Sequence, residues 1–291
     1  MMKPALQPQT PGIGPTAQRW AALWVSACLL GACAVTADVS GGHPATVARQ
    51  LDTLLPADAV LLGEQHDAPD HQRIAQEAVK ELARRGILAA LVIEMADAGS
   101  TTSALQRDAS EAEVQSALKW QAGGWPWPRY APVILQAVRD GVPVVGGNLP
   151  RSKMRGVMAE SEFDYLLPGP ALKAQQQLIR QGHCDMLPES QIAPMTRIQI
   201  ARDVSMAQAL STAAIVGKTV VLLSGHGHVN RQLGIPQHLP PELKVKAVRM
   251  GDSPKPDAAS TPASFDLIWA AAPAPEKDYC ADFRSQQKPK P

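Results

Sequence analysis

Short apolar runs alternate with stretches of helical periodicity along most of the chain. Asp58–Gly63 (DAVLLG) is a continuous apolar run that ends in glycine, which is typical of a buried strand. From Asp67 to Gly86, apolar residues recur at three- and four-residue spacing and share one helical face. Asp67 or Asp70 is expected to cap this helix. Ile87–Glu94 (ILAALVIE) is the next buried strand, so the order predicts a βαβ unit in a parallel sheet.

The rest of the chain continues this alternation. Helices are predicted over 103–122 and Pro132–Asp140, and an aromatic loop (GGWPWPRY) is predicted over 123–130. Further strands are predicted at Pro143–Gly147, Lys218–Ser224, Val245–Met250 and Phe265–Ala271. Residues 151–215 show helical patterns only, which indicates a helical insertion or subdomain. The predicted fold class is α/β, with a mostly parallel central sheet of about six strands flanked by helices.

The first 32 residues have the composition of a secretory signal. Their only charges are Lys3 and Arg19, and an 11-residue apolar run, Trp20–Leu30, follows. This run is too short to span a bilayer but suits the core of a signal peptide. An uncleaved apolar amino terminus and a plain secretory signal are the alternatives to the lipoprotein signal described next.

Leu30-Gly31-Ala32-Cys33 resembles a lipobox, in which small residues let the peptidase close around the cleavage site. Cys33 would then carry the lipid, and the protein would be anchored in the cell envelope. The next residue is Ala34 rather than aspartate, which resembles an outer-membrane address. We therefore expect a lipid-anchored protein, on the outer membrane and facing the periplasm.

Cleavage before Cys33 predicts the domain boundaries. Residues 1–32 are the signal peptide, 33–45 a tether, 46–272 the α/β domain and 273–291 a tail. The full chain has a formal net charge of +1, and loss of the two amino-terminal cations would leave −1. A charge so close to zero argues against nucleic-acid binding, which needs a basic face.

Two cysteines remain beyond the lipobox. Cys184 and Cys280 form an even pair in an oxidising compartment, where disulfides persist. Cys280 lies in a tail (APAPEKDYCADF) with little else to hold it. The sequence predicts a Cys184–Cys280 disulfide, and two unrelated buried thiols are the alternative.

Polar side chains follow three of the predicted strands. Glu64 and His66 follow the first strand, Glu94 ends the second, and His226 and His228 follow the strand at 218–224. The carboxyl ends of parallel strands share one edge of a sheet, and ligands bind in the crevice there. Such groups are costly beside an apolar sheet unless they are paired or used. The sequence predicts a shared site; local helix capping and surface polarity are the alternative.

These segments resemble a known family. LLGEQHDAPDHQ, VIEM and SGHGHVNRQLGIPQHL, together with YAPVILQAVRDGVPVVGGNLPR and GHCDMLPESQIAPMTRIQIARDVSMAQAL, are similar to the ChaN family of haem-binding lipoproteins linked to iron uptake. The resemblance spans roughly 50–250. ChaN belongs to a wider group with the Tiki and TraB proteins and the erythromycin esterases. Gly63–His66 and Gly225–His228 match its two G-x-x-H motifs, and Glu94 matches its strand-end glutamate.

The resemblance implies two different activities. Haem binding needs an apolar slot and an axial ligand, commonly histidine or tyrosine. The Tiki branch instead implies a divalent metal ion and hydrolysis. Hydrolysis needs a polar cluster that holds the metal or acts as a base. The residues for that alternative, as metal ligands and catalytic groups, are Glu64, His66, Glu94 and His228. A third possibility is a scaffold lipoprotein with a vestigial site.

For haem binding, the first candidate ligand is Tyr130, because Trp120, Trp125 and Trp127 could line a slot beside it. The other candidate cofactor-binding residues are His183, His226, His228 and Arg202, the last toward a propionate. Plain packing or solvation is the alternative for each, and His71 is expected to be a capping or surface residue. A shallow crevice would leave one haem face exposed, so a homodimer is a further expectation.

Overall fold

The computed structural model describes residues 43–251 and 264–286. The predicted signal peptide, Cys33 and most of the tether lie outside these residues. Within the described ranges, no helix combines the length and apolar character that a membrane crossing requires.

Within the described residues, six strands form one sheet in which every pairing between strands is parallel. Their bounds are β1 Ala59–Glu64, β2 Leu88–Asp97, β3 Val144–Asn148, β4 Thr219–Gly225, β5 Val245–Met250 and β6 Leu267–Trp269. The spatial order is β3-β2-β4-β1-β5-β6. Glu64 pairs in register with Gly225, and Ile93 with Leu223, so β1, β2 and β4 end nearly level at the centre of the sheet. The predicted α/β class is confirmed.

Helices cover both faces of this sheet. Their bounds are α1 Pro44–Leu54, α2 Pro69–Arg84, α3 Glu111–Ala117, α4 Trp127–Arg139, α5 Met154–Val157, α6 Gly169–Gly182, α7 Glu189–Ala213 and α8 Tyr279–Gln286. On one face, α1, α2 and α4 bury an apolar cluster that includes Val60 and Leu62. On the other face, α7 packs on a cluster that includes Leu61 and Val92.

The two-residue period of the strands decides which face each strand-end carboxylate takes. Glu64 continues the row of Val60 and Leu62, so it points toward α2 and α4. Glu94 continues the row of Val92, so it points toward α7. The two carboxylates therefore leave the sheet on opposite faces, at the same edge.

Several predicted element bounds were wrong. The polar helix expected over 103–122 is reduced to α3, which begins after Ser110 in a capping box with Glu113. The aromatic loop is shorter than expected, because α4 begins at Trp127 after the extended Pro126. The last predicted strand shortens to the three residues of β6. Helix α2 has Ala68 at its N-cap and no side-chain cap, so neither predicted aspartate caps it.

Between β3 and β4 the chain is helical. It contains α5, α6, α7 and two short 3-10 helices at Arg151–Lys153 and Ser161–Tyr165. Leu149, Val157, Ile198 and Ala201 form a small separate apolar cluster here. Cys184, in the loop between α6 and α7, forms a disulfide with Cys280, which fastens the carboxyl-terminal segment to these helices.

Gly63 is expected to tolerate no side chain. A Cβ atom there would lie 2.4 Å from Val229 Cγ2 and 2.9 Å from the backbone Cα of His226. Because β1 and the turn after β4 are both fixed by the sheet, the clash cannot relax freely. We expect Gly63→Ala to lower the free energy of unfolding by about 1–3 kcal/mol, measured by urea denaturation. Gly227→Ala is the matched control, since its added Cβ meets nothing within 4 Å; an equal loss in both variants would contradict this steric explanation.

Candidate functional site

The centre of the site is an ionic network at the carboxyl edge of β1, β2 and β4. His66 Nδ1 lies 2.7 Å from Glu64 Oε1, and His66 Nε2 lies 3.7 Å from Glu94 Oε2. His228 Nε2 lies 3.5 Å from Glu94 Oε1. The four residues expected to share a site are therefore brought together, with His66 bridging the two carboxylates that leave opposite faces of the sheet.

Glu64 is fully buried and accepts hydrogen bonds from helices on its face. The Tyr130 hydroxyl of α4 donates to Oε1 at 2.8 Å, and Gln72 Nε2 of α2 donates to Oε2 at 2.5 Å. A buried carboxylate is stable only when its oxygens are satisfied in this way. Tyr130 and Gln72 thus hold Glu64 in position below His66.

On the other face, Asp203 of α7 completes the network. Its Oδ1 lies 2.5 Å from His228 Nδ1, and both residues are buried. Glu94 Oε2 also accepts the backbone N–H of Gly225 at 2.8 Å. The arrangement fixes His228 between two carboxylates.

The network shifts the pKa values of its members in opposite directions. Burial opposes a charge on His228, but the neighbouring Asp203 and Glu94 outweigh it and raise the pKa of this imidazole. The pKa of His66 is also raised, because hydrogen bonding to Glu64 and the charge of Glu94 outweigh burial. Burial opposes the charge on Glu94, yet the nearby imidazoles hold its pKa well below the usual range. At neutral pH the protonated imidazole of His228 is therefore paired with the carboxylates of Asp203 and Glu94.

His226 differs from the other two histidines. It is exposed, and its Nδ1 lies 3.3 Å from the backbone oxygen of Glu64, to which it donates. Packing of protein atoms around the ring and then the charge of Arg249 lower the pKa of its imidazole, which favours the neutral form although part of the residue is exposed. With the proton on Nδ1, Nε2 carries a lone pair, and within the described residues nothing hydrogen-bonds to it.

A cleft of about 550 Å³ opens beside this network. Its wall includes His66, His226, Gly225 and Gly227 from the strand ends, and Lys277 and Tyr279 from the carboxyl-terminal segment. Its volume falls within the range of small-molecule and cofactor sites. The exposed imidazole of His226 forms part of this wall.

The geometry gives no support to a divalent metal ion. Among the residues that the structure describes, no group of three or more histidine, cysteine, aspartate or glutamate side chains is arranged to hold one. The imidazoles of His66 and His228 are instead engaged in the ion pairs above. The four residues expected as metal ligands converge, but as an ionic network.

The aromatic slot expected around Tyr130 is not part of the cleft. Tyr130 is fully buried, and burial together with the charge of Glu64 raises the pKa of its hydroxyl far above the usual range. Trp120 and Trp125 pack on its ring at centroid distances of 6.1 Å, and Trp127 packs on Trp120 at 5.0 Å. Only Trp125 approaches the site, edge-on to His66 at 4.7 Å. This environment disfavours Tyr130 as a phenolate ligand.

The remaining predicted residues lie elsewhere. His183 follows α6, where its Nδ1 is 2.8 Å from the backbone oxygen of Ile179. Arg202 lies on α7, and its charge acts on Asp97 and Asp203. Neither lines the cleft. His71 was expected to be a capping or surface residue, but it is buried and its Nδ1 accepts the backbone N–H of Gln65.

The groups at the site that the sequence did not single out include Gln72, Asp203 and Tyr279. Asp203 could have been recognised from the sequence, because it falls on the buried face of α7 with Ile200, Ala207 and Leu210. A carboxylate on an apolar helical face requires a partner. Tyr279, near the end of a polar tail, carried no comparable signal.

Comparisons with known proteins agree with this architecture. Residues 50–239 match the family model described as haem-binding uptake, Tiki superfamily, ChaN. Among solved structures, the chain is similar to ChaN of Campylobacter jejuni, in a study of cofacial heme binding, with 23% identity, a TM-score of 0.62 and coverage of 76% of this chain and 89% of that one. It also matches the type III effector HopBA1 with 16% identity, a TM-score of 0.48 and coverage of 80% and 95%. No curated protein gave a significant sequence match.

Proposed function

This chain belongs to the ChaN family of haem-binding uptake proteins in the Tiki superfamily, and we propose that it binds haem in the cleft beside His66 and His226. The family resemblance seen in the motifs is confirmed by the match over residues 50–239. The observation that carries the proposal for this cleft is the placement of His226, whose imidazole lines the cleft while its Nδ1 is hydrogen-bonded to the backbone oxygen of Glu64.

A histidine ligates haem iron through an unprotonated ring nitrogen, and the proton on the other nitrogen is commonly fixed by a hydrogen bond. His226 meets both conditions, since Nδ1 donates to Glu64 O and Nε2 remains available. His228 does not, because Asp203 and Glu94 flank its two nitrogens. When bound, haem iron supplies a centre that accepts such an axial ligand. His226 is therefore our proposed ligand.

The cleft is open to solvent, so a bound macrocycle would keep part of one face exposed. Apolar surface of that size is favourably covered by a partner. The solved structure of the Campylobacter jejuni protein concerns cofacial heme binding. By analogy, we propose that two copies of this chain cover each other's haem.

His226→Ala is expected to weaken haem binding at least about tenfold and to change the absorption spectrum of the complex, because the axial bond is lost. The measurement is an absorption titration of haem into purified protein. His43→Ala, which changes an exposed histidine before α1, is the control and should match the unchanged protein. Tyr130→Phe should leave the spectrum unchanged.

The outcomes separate the two parts of the proposal. If the unchanged protein shows no saturable haem binding, the proposed function is wrong. If it binds haem and His226→Ala binds equally well with the same spectrum, the assignment of His226 is wrong. A spectrum altered only by Tyr130→Phe would restore the tyrosine hypothesis.

We propose further that the protein acts in haem or iron uptake from a lipid anchor on Cys33, on the outer membrane. The support is the lipobox at Leu30–Cys33. Cys33→Ser is expected to move the protein from the membrane fraction to the soluble periplasmic fraction. Cys28→Ser, within the signal segment, is the control and should leave it membrane-bound. Wild-type protein found wholly in the soluble fraction would contradict the anchor.

A further inference from the structure

The segment that follows β6 crosses the carboxyl edge of the sheet. It leaves the β5–β6 side, where the backbone N–H of Ala272 donates to Asp70 Oδ2 at 2.7 Å. It then passes the turn after β1, where the Tyr279 hydroxyl donates to Asp67 and accepts from Gln65 Nε2 at 3.4 Å. It reaches Cys184 through the Cys280 disulfide, in a loop of the helices that pack on the opposite side of the sheet. We call residues 273–279 the strap.

The strap forms a wall of two cavities. Lys277 and Tyr279 line the 550 Å³ cleft together with His66 and His226. A second cavity of about 300 Å³ lies between the strap, His71 and the end of β5. Since both cavities include strap residues, moving the strap away would open both of them.

Noncovalent contacts hold the strap weakly. Most of its residues are exposed, and Tyr279 itself is 49% exposed. Hydrogen bonds at exposed positions contribute little net free energy, because water replaces them readily. The covalent bond to Cys184 keeps the segment close to its docking position, so each contact reforms as an intramolecular event at a high effective concentration.

We propose that the strap completes the ligand cleft and that the Cys184–Cys280 disulfide controls how easily a ligand leaves it. This inference rests on the proposed haem site for its ligand, but the strap itself lies outside the residues matched by the family. Tyr279 acts here as a positioning residue, since its hydroxyl fastens the strap to Asp67 beside the cleft.

In the wild-type protein, a dithiol reductant opens the disulfide that holds the strap. One thiolate of the reductant attacks a sulfur of the Cys184–Cys280 bond and forms a mixed disulfide, releasing the other cysteine as a thiolate. The second thiolate of the reductant then displaces the remaining cysteine. The reductant becomes a disulfide, and Cys184 and Cys280 each gain one electron and one proton. A disulfide-bearing oxidant reverses the exchange.

The test compares haem release from the oxidised protein and from the double variant Cys184→Ser with Cys280→Ser. The double variant avoids adding a reductant, which would also reduce haem iron. Release into an excess of a haem-scavenging apoprotein is expected to be at least about tenfold faster without the disulfide. Tyr279→Phe, with the disulfide intact, should give a smaller increase. Arg49→Ala, at an exposed position of α1 away from the strap, is the control and should release haem at the unchanged rate.

Amide hydrogen exchange gives a second readout that needs no haem. Opening the disulfide should raise exchange at Ala272 and in the turn at 65–67, while the buried strand β4 keeps its protection. If the double variant fails to fold, reversible reduction of the wild-type protein supplies the same comparison by exchange. Wild-type protein that binds no haem would overturn the proposed function, and the exchange result alone would then decide the strap. Unchanged exchange on opening the disulfide, or unchanged haem release, would overturn the inference.

Discussion

Replacing Asp203 with asparagine is expected to lower the free energy of unfolding by about 3–5 kcal/mol, the usual effect of breaking a buried ion pair. Asp203 Oδ1 lies 2.5 Å from His228 Nδ1, and the two residues are 1% and 6% exposed. Asparagine keeps the shape of the side chain but removes its negative charge. The buried imidazolium of His228 would then have only Glu94 to balance it.

Urea denaturation of the wild-type protein and of Asp203→Asn measures this loss. Asp108→Asn is the matched control, because Asp108 is exposed and its neutralisation should change stability by no more than about 0.5 kcal/mol. A loss in Asp203→Asn as small as that of the control would mean that the pair contributes nothing to folding. We expect the double variant Asp203→Asn with His228→Gln to recover part of the stability that the single variant loses. If the pair contributes nothing, the double variant should recover none.

The sheet and its reactive edge could be predicted because both follow from local patterns. A continuous apolar run bounded by turns, as in β1 and β4, leaves few alternatives to a buried parallel strand. Once the strands are parallel, their carboxyl ends must share an edge. That rule alone brings Glu64 and Glu94 together, although they are separated by a whole helix.

The partners of these carboxylates depend on helix packing, which the strand pattern does not specify. Asp203 reaches His228 only because α7 packs on the face that carries Glu94. Tyr130 reaches Glu64 only because α4 packs on the other face. The aromatic slot expected around Tyr130 does not line the cleft for this reason: the tryptophans near Tyr130 in sequence pack on its ring inside the core, where its hydroxyl donates to Glu64. The Cys184–Cys280 disulfide was predicted from the sequence, but the path of the strap across the sheet edge depends on long-range contacts that no local pattern specifies.

Stability is also expected to depend strongly on pH on the alkaline side of neutrality. Burial opposes a charge on His228, but Asp203 and then Glu94 raise its pKa to about 10, compared with 6.5 in the unfolded chain. Below pH 6.5 this imidazole is protonated in both states, so its contribution is fully present. Above pH 6.5 the unfolded chain loses the proton while the folded protein keeps it. Stability should therefore fall, by a few kcal/mol, as pH rises from about 6.5 toward 10.

His66 also contributes to the loss of stability above pH 6.5, because its pKa is raised; its contribution is smaller, since its side chain is 35% exposed. The other groups with shifted pKa values do not act between pH 6.5 and 10. The lowered pKa of His226 reduces stability only as pH falls below 6.5. Burial raises the pKa of Asp203 to about 6, so the loss of stability that this shift causes is complete before pH reaches 6.5.

Urea denaturation at a series of pH values measures the slope of stability against pH. Asp203→Asn removes the main cause of the raised pKa of His228, so its stability should be much less sensitive to pH above 6.5. An equal slope in both proteins would show that another group carries the alkaline loss.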